Sequence, residues 1–174
     1  MRKILFQSLL QDPLTEQPPA MDDAALAELA GAVDRAARKR LGRSLSIREV
    51  DTGSCNGCEL EIHALNNAFY DIERFGFRFV ASPRHADVLL VTGPMTKNMR
   101  EALERTYNAT PDPKWVVAVG NCAVDGGIFS GSYAVENGVK SVVPVDLHIR
   151  GCPPSPTELL KGLLALLEQQ RNVG

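Results

Sequence analysis

A chain of 174 residues with 44% hydrophobic side chains has the length and apolar content for one domain, or one domain with an arm. Lys and Arg (19) nearly balance Asp and Glu (21), and the formal charge of −2 disfavours a nucleic-acid binder held by phosphate contacts. The longest uncharged stretches, Trp115 to Val124 and Gly126 to Val135, hold ten residues each, against about 20 for a membrane-spanning helix, so no span is expected.

Residues 1–42 read as an N-terminal arm. Ile4 to Leu10 is broken by Gln7 and Ser8 and lacks the small-residue cleavage site of an export signal, so it predicts a docking segment and a cytosolic protein. Pro13, Pro18 and Pro19 mark a linker. Leu26, Leu29, Val33 and Ala37 predict a helix over 22–41. Asp22 and Asp23 at its start, and Arg38, Lys39 and Arg40 at its end, complement the helix dipole, with Gly42 as the stop. The arm is expected to dock on a partner subunit, and its basic end reads most simply as a solvated helix terminus.

Residues 43–174 alternate between strand and helix patterns. Strands are predicted at Ser46 to Asp51, Phe77 to Ala81, Val88 to Thr92, Trp115 to Gly120 and Ser141 to Leu147. Several are short apolar runs, as expected when both faces of a sheet are covered. Helices are predicted at Glu59 to Phe75, Thr96 to Tyr107 and Pro156 to Gln170. This rhythm predicts an α/β domain with a doubly wound, flavodoxin-like parallel sheet.

Each of the four cysteines falls just past a predicted strand. Cys55 and Cys58 follow the first strand in a CxxC, Cys122 follows the fourth, and Cys152 follows the fifth. In an open α/β sheet the carboxyl ends of the strands are where ligands bind, so the fold gathers the four thiols on one rim. Four thiolates suit structural zinc or an iron–sulfur cluster. Zinc ribbons pair two short knuckles, whereas one CxxC with two distant single cysteines fits a [4Fe–4S] cluster reached from several loops. Gly53, Gly57, Gly120 and Gly151 flank the cysteines and are expected to let the backbone approach the cofactor closely.

The motifs Ser54-Cys-Asn-Gly-Cys-Glu-Leu-Glu61, Gly120-Asn-Cys122, and Val143-Pro-Val-Asp146 leading into Gly151-Cys-Pro-Pro-Ser-Pro156 resemble one family. It comprises the small subunits of membrane-bound, energy-conserving [NiFe] hydrogenases, including those of formate hydrogenlyase, and the homologous 20-kilodalton subunit of respiratory complex I. The resemblance implies that Cys55, Cys58, Cys122 and Cys152 ligate one [4Fe–4S] cluster near the active site of a hydrogenase large subunit. It implies electron relay to a ferredoxin-like iron–sulfur subunit, with integral membrane subunits completing a complex on the cytoplasmic side of the cell membrane. The CxxC spacing favours the hydrogenase branch over the adjacent cysteines of NADH:quinone oxidoreductases.

Glu61, at a position where the family usually has Glu, and Glu59 are proton-path candidates, although carboxylates in a first helical turn are favoured by the dipole alone. His63 and His148 read as ordinary surface or core histidines. The glycine-rich loop from Asp125 to Gly138 matches no nucleotide-binding pattern, and in the family the corresponding loop helps to form the large-subunit contact. Three rivals leave cysteines idle or forgo redox chemistry: a flavin module using Thr52, Gly53 and Ser54, a nucleophile pair of Cys55 with His63, and a zinc-stabilised scaffold.

Overall fold

Two five-residue strands, Val-Leu-Leu-Val-Thr and the wholly apolar Trp-Val-Val-Ala-Val, organise the structure. In the computed structural model, which describes residues 23–75 and 77–168, β3 (Val88–Thr92) and β4 (Trp115–Val119) are buried along their whole length. Side chains alternate across a strand, and each run accordingly feeds two cores. Val88 and Leu90 with Trp115, Val117 and Val119 enter one, while Leu89 and Val91 with Val116 and Ala118 enter the other.

Around this pair lie β1 (Ser46–Asp51), β2 (Arg78–Phe79) and β5 (Leu147–Ile149), in the order β2-β1-β3-β4-β5 with every neighbour parallel. That is the flavodoxin-like order, with its switch point between β1 and β3. One face is covered by α1 (Asp23–Leu41), α2 (Gly57–Ala64) and α5 (Pro156–Glu168), and the other by α3 (Arg100–Ala109) and α4 (Asn121–Asp125). α1 packs along α5 and buries Ala30, Val33 and Ala37. The docking segment and linker expected within residues 1–22 lie outside the described residues.

Three elements depart from the sequence pattern. The helix expected over 59–75 is divided: α2 ends at Ala64, and a separate 3-10 turn spans Ile72–Phe75. Asn67 explains the break, because its side-chain oxygen accepts from the Phe69 and Tyr70 amides at 2.9 and 3.0 Å, competing with the helical ladder. The strand expected at 77–81 shrinks to a two-residue edge strand. The fifth strand is Leu147–Ile149 in place of Ser141 to Leu147. Val139–Ser141 forms a 3-10 turn, Val143 is drawn into the second core, and Pro144 has no N–H for a ladder. Asp146 then holds the start of β4, its carboxylate accepting from Val116 N–H at 2.8 Å and its amide donating to Val116 C=O at 2.9 Å.

A buried carboxylate braces the amino edge of the sheet. Asp87, 4% exposed, accepts from both terminal nitrogens of Arg43, at 2.6 and 2.8 Å, and from Ser46 N–H at 2.9 Å. Asp87→Ala should lower the unfolding free energy by about 2–3 kcal/mol, because Ser46 N–H is left buried without an acceptor. Urea unfolding of the full chain measures this.

Candidate metal centre

The carboxyl ends of four strands or their following loops meet in one cavity of about 100 Å³, lined by all four cysteines. Asp51, the last residue of β1, turns the chain sharply: its Oδ1 accepts from Gly53 and Ser54 N–H, both at 2.7 Å. Ser54 Oγ then accepts from Asn56 N–H at 3.1 Å, and Asn56 adopts a left-handed conformation immediately before α2. Cys55 thereby sits exposed on the loop, and Cys58 sits half-buried in the first turn of α2. Cys122 lies in the first turn of α4, and Cys152 lies exposed after β5. Asn121 joins these last two loops: its amide donates to Gly151 C=O at 2.9 Å, and its side-chain oxygen accepts from Gly151 N–H at 3.1 Å.

Missing side chains make room for the sulfurs. Gly120 has φ +86°, and a Cβ built there would stand 2.5 Å from Cys58 Sγ. At Gly127 a Cβ would stand 2.9 Å from Cys122 Sγ. Gly57 and Gly151 line the cavity, as does Gly93, which follows β3 and which the sequence pattern did not single out. Gly53 does not line it and instead packs against Thr96. Gly127 was likewise not among the expected glycines, although its place five residues after Cys122 was the available signal.

The thiols crowd one another electrostatically. Burial first, then Glu59 and the other three cysteines, push the Cys58 thiol up to about 12. Burial, Cys152 and Cys55 raise Cys122, opposed by a hydrogen bond from the Ile128 backbone. Four such groups become thiolates together only when a cationic group offsets their charge. Among the described residues no three His, Cys, Asp or Glu side chains converge closely enough to hold one metal ion. Zinc and iron–sulfur groups both draw on thiolates, and the four cysteines with the glycine-made space beside them offer such a donor set.

Glu59 is 7% exposed, and neither carboxylate oxygen has a partner. Glu61 is half-buried on the same helix. His63 stands outside the cavity with Nε2 3.5 Å from Glu49 Oε2. Burial raises the Glu49 carboxyl above its ordinary value, and His63 opposes that shift. His148 is exposed on β5 and does not line the cavity either. Beside the rim, the loop after α4 exposes Ile128 and Tyr133, 84% and 90% respectively. The loop is anchored nonetheless: Met95 N–H donates to Asn137 C=O at 3.1 Å, and Glu136 N–H donates to Met95 C=O at 2.7 Å. No helix among the described residues is long and apolar enough to cross a membrane.

Comparison with known proteins places the chain in one family. The family described as "NADH ubiquinone oxidoreductase, 20 Kd subunit" matches residues 55–166. Formate hydrogenlyase subunit 7 of Escherichia coli is 47% identical over 135 residues, 76% of this chain and 53% of that protein. The chain thus spans about half the length of that relative. The probable membrane-bound hydrogenase subunit mbhJ of Pyrococcus furiosus is 46% identical over 131 residues, 75% of this chain and 78% of that protein. Among solved structures, a chain of the membrane-bound sulfane sulfur reductase, an archaeal respiratory membrane complex, superposes with a TM-score of 0.65 at 37% identity. That match covers 79% of this chain and 74% of the other.

Proposed function

Because this chain belongs to the family of the 20 Kd subunit of NADH ubiquinone oxidoreductase, we propose that it is the electron-relay subunit of a membrane-associated [NiFe] hydrogenase complex. Cys55, Cys58, Cys122 and Cys152 would hold one [4Fe–4S] cluster, which supplies one-electron transfer. The observation that carries this reading is the meeting of four cysteines, from three widely separated segments of the chain, in one rim cavity. The relatives' names span hydrogenases and a sulfane sulfur reductase. What they share with this chain is the cysteine-bearing domain, so the substrate is set by a partner large subunit. The CxxC spacing, together with hydrogenase relatives at 46% and 47% identity, favours hydrogen chemistry there.

The chain's own residues position and insulate the relay. Gly120 and Gly127 keep side chains away from two sulfurs, and the Ile128 backbone hydrogen bond favours negative charge on Cys122. Such hydrogen bonds and burial tune a cluster's potential. The exposed Ile128 and Tyr133 beside the rim suit contact with the large subunit, and a ferredoxin-like subunit would receive or deliver the electron. Integral membrane subunits would anchor the assembly, with this chain peripheral on the cytoplasmic side.

Anaerobic purification with iron, sulfide and zinc analysis tests the reading. About four irons and four sulfides per chain are expected, and zinc in their place would overturn it. Glu61 and Glu59 remain the proton-path candidates of this chain. In the assembled complex Glu61→Gln should leave the iron content unchanged and slow hydrogen turnover by about 10²-fold, the scale of a lost proton-transfer group. Normal turnover would remove Glu61 from the path.

A further inference from the structure

At the edge of the sheet opposite the cysteines lies a second cavity, of about 200 Å³, lined by Arg43, Arg78, Arg84, His85, Ala86 and Pro111. It is built where the strands begin. Arg43 precedes β1, Arg78 opens β2, Arg84 and His85 occupy the 3-10 turn before β3, and Pro111 precedes β4.

The charges in this wall are unbalanced. Asp87 accounts for Arg43 through its two-pronged contact. Arg78 is steadied by Ser46, its Nε donating to Ser46 Oγ at 3.3 Å. That bond leaves its two terminal nitrogens free to serve a ligand. The turn carrying Arg84 is fixed by Ser82 Oγ, which accepts from Arg84 N–H at 3.4 Å. Among the described residues no carboxylate pairs with Arg78 or Arg84. Asp112, beside Pro111, is 84% exposed and lies 3.9 Å from Lys114. In a chain of net charge −2, this concentrates uncompensated guanidinium groups around one concavity.

We propose that this cavity binds a phosphate group. Two unpaired guanidinium forks match a doubly charged oxyanion, since each can donate two parallel hydrogen bonds to its oxygens. His85 supplies a further donor at the wall. The volume leaves room for the anion with several waters, each occupying about 30 Å³. A membrane lipid headgroup and free phosphate share this chemistry. The site is independent of the cysteine cavity, so its failure would leave the electron-relay reading untouched.

The test uses the full chain, purified anaerobically, with two probes. One is co-sedimentation with phosphatidylglycerol-containing vesicles against phosphatidylcholine vesicles, and the other is calorimetric titration with inorganic phosphate at low salt. Saturable binding to either is expected. Arg78→Gln combined with Arg84→Gln should weaken it by about tenfold or more, the scale of a lost charge-assisted hydrogen bond. Arg105→Gln, on the exposed face of α3, should leave it unchanged. Arg84→Gln alone removes no internal partner, and should weaken binding with an unaltered melting temperature. Vesicle binding without phosphate binding identifies a lipid headgroup, and phosphate binding identifies a free anion site. The proposal is overturned if neither probe binds, or if Arg105→Gln weakens binding as much as the double variant does.

Discussion

Anaerobically purified protein carrying Cys58→Ala should lose its acid-labile sulfide and the absorption and paramagnetic signals of a cubane, and Cys122→Ala should do the same. Both thiols are half-buried and line the cavity. Neither has a spare neighbour to replace it, because the chain contains four cysteines and all four are already in the wall. The fold itself should persist. The larger of the two packing changes removes only the sulfur of Cys58 from the margin of the first core, a loss of about 1 kcal/mol by the scale of one buried methylene. Circular dichroism together with iron analysis separates the two effects. Retention of the full iron complement in either variant would refute the shared four-thiolate site.

Gly120→Ala should impair the same centre without replacing a cysteine. The backbone at Gly120 has φ +86° and ψ 156°, a region that side-chain-bearing residues enter only at a penalty of about 1–3 kcal/mol. The new methyl would also stand 2.5 Å from Cys58 Sγ, well inside van der Waals contact. Gly120 cannot simply move away. Its amide donates to Ile149 C=O at 2.8 Å, and the adjoining Asn121 amide donates to Gly151 C=O at 2.9 Å. Shifting Gly120 therefore disturbs the loop that carries Cys152, while holding it displaces Cys58. Iron content well below that of the parent protein is expected, along with a lower melting temperature. As a control, Gly131→Ala has open space around the new methyl, although φ +80° makes it mildly strained. It should destabilise the protein only through that strain and leave the iron content intact. Equal iron content in the Gly120 and Gly131 variants would show that the close approach to Cys58 does not matter.

These two experiments probe different levels of the same site, and that difference tracks what was legible in the amino-acid order. The two runs Val88 to Thr92 and Trp115 to Val119 announced strands covered on both faces, because such strands are apolar at nearly every position. The cysteines' places after strands announced a shared rim, and the motifs Cys55-Asn-Gly-Cys58, Gly120-Asn-Cys122 and Gly151-Cys-Pro-Pro154 announced the family. Local signals sufficed for these features because each is set within a few residues.

Features that depend on distant partners were hidden. The fifth strand begins at Leu147 because Asp146 is captured by Val116, thirty positions away in the chain, and local propensity pointed instead to the valine-rich run before it. The close approach at Gly93 exists only because the loop carrying Ser54 arrives beside it. Likewise, Glu59 and Glu61 read alike as first-turn carboxylates, yet Glu59 is the one enclosed without a partner. The order of residues alone determined the alternating elements and the cysteines placed after the strands. Tertiary packing alone decided the strand boundaries, the space around each sulfur and the unpaired arginines at the far edge, since hydrogen-bond partners and excluded volume between remote segments leave no periodic trace in a sequence.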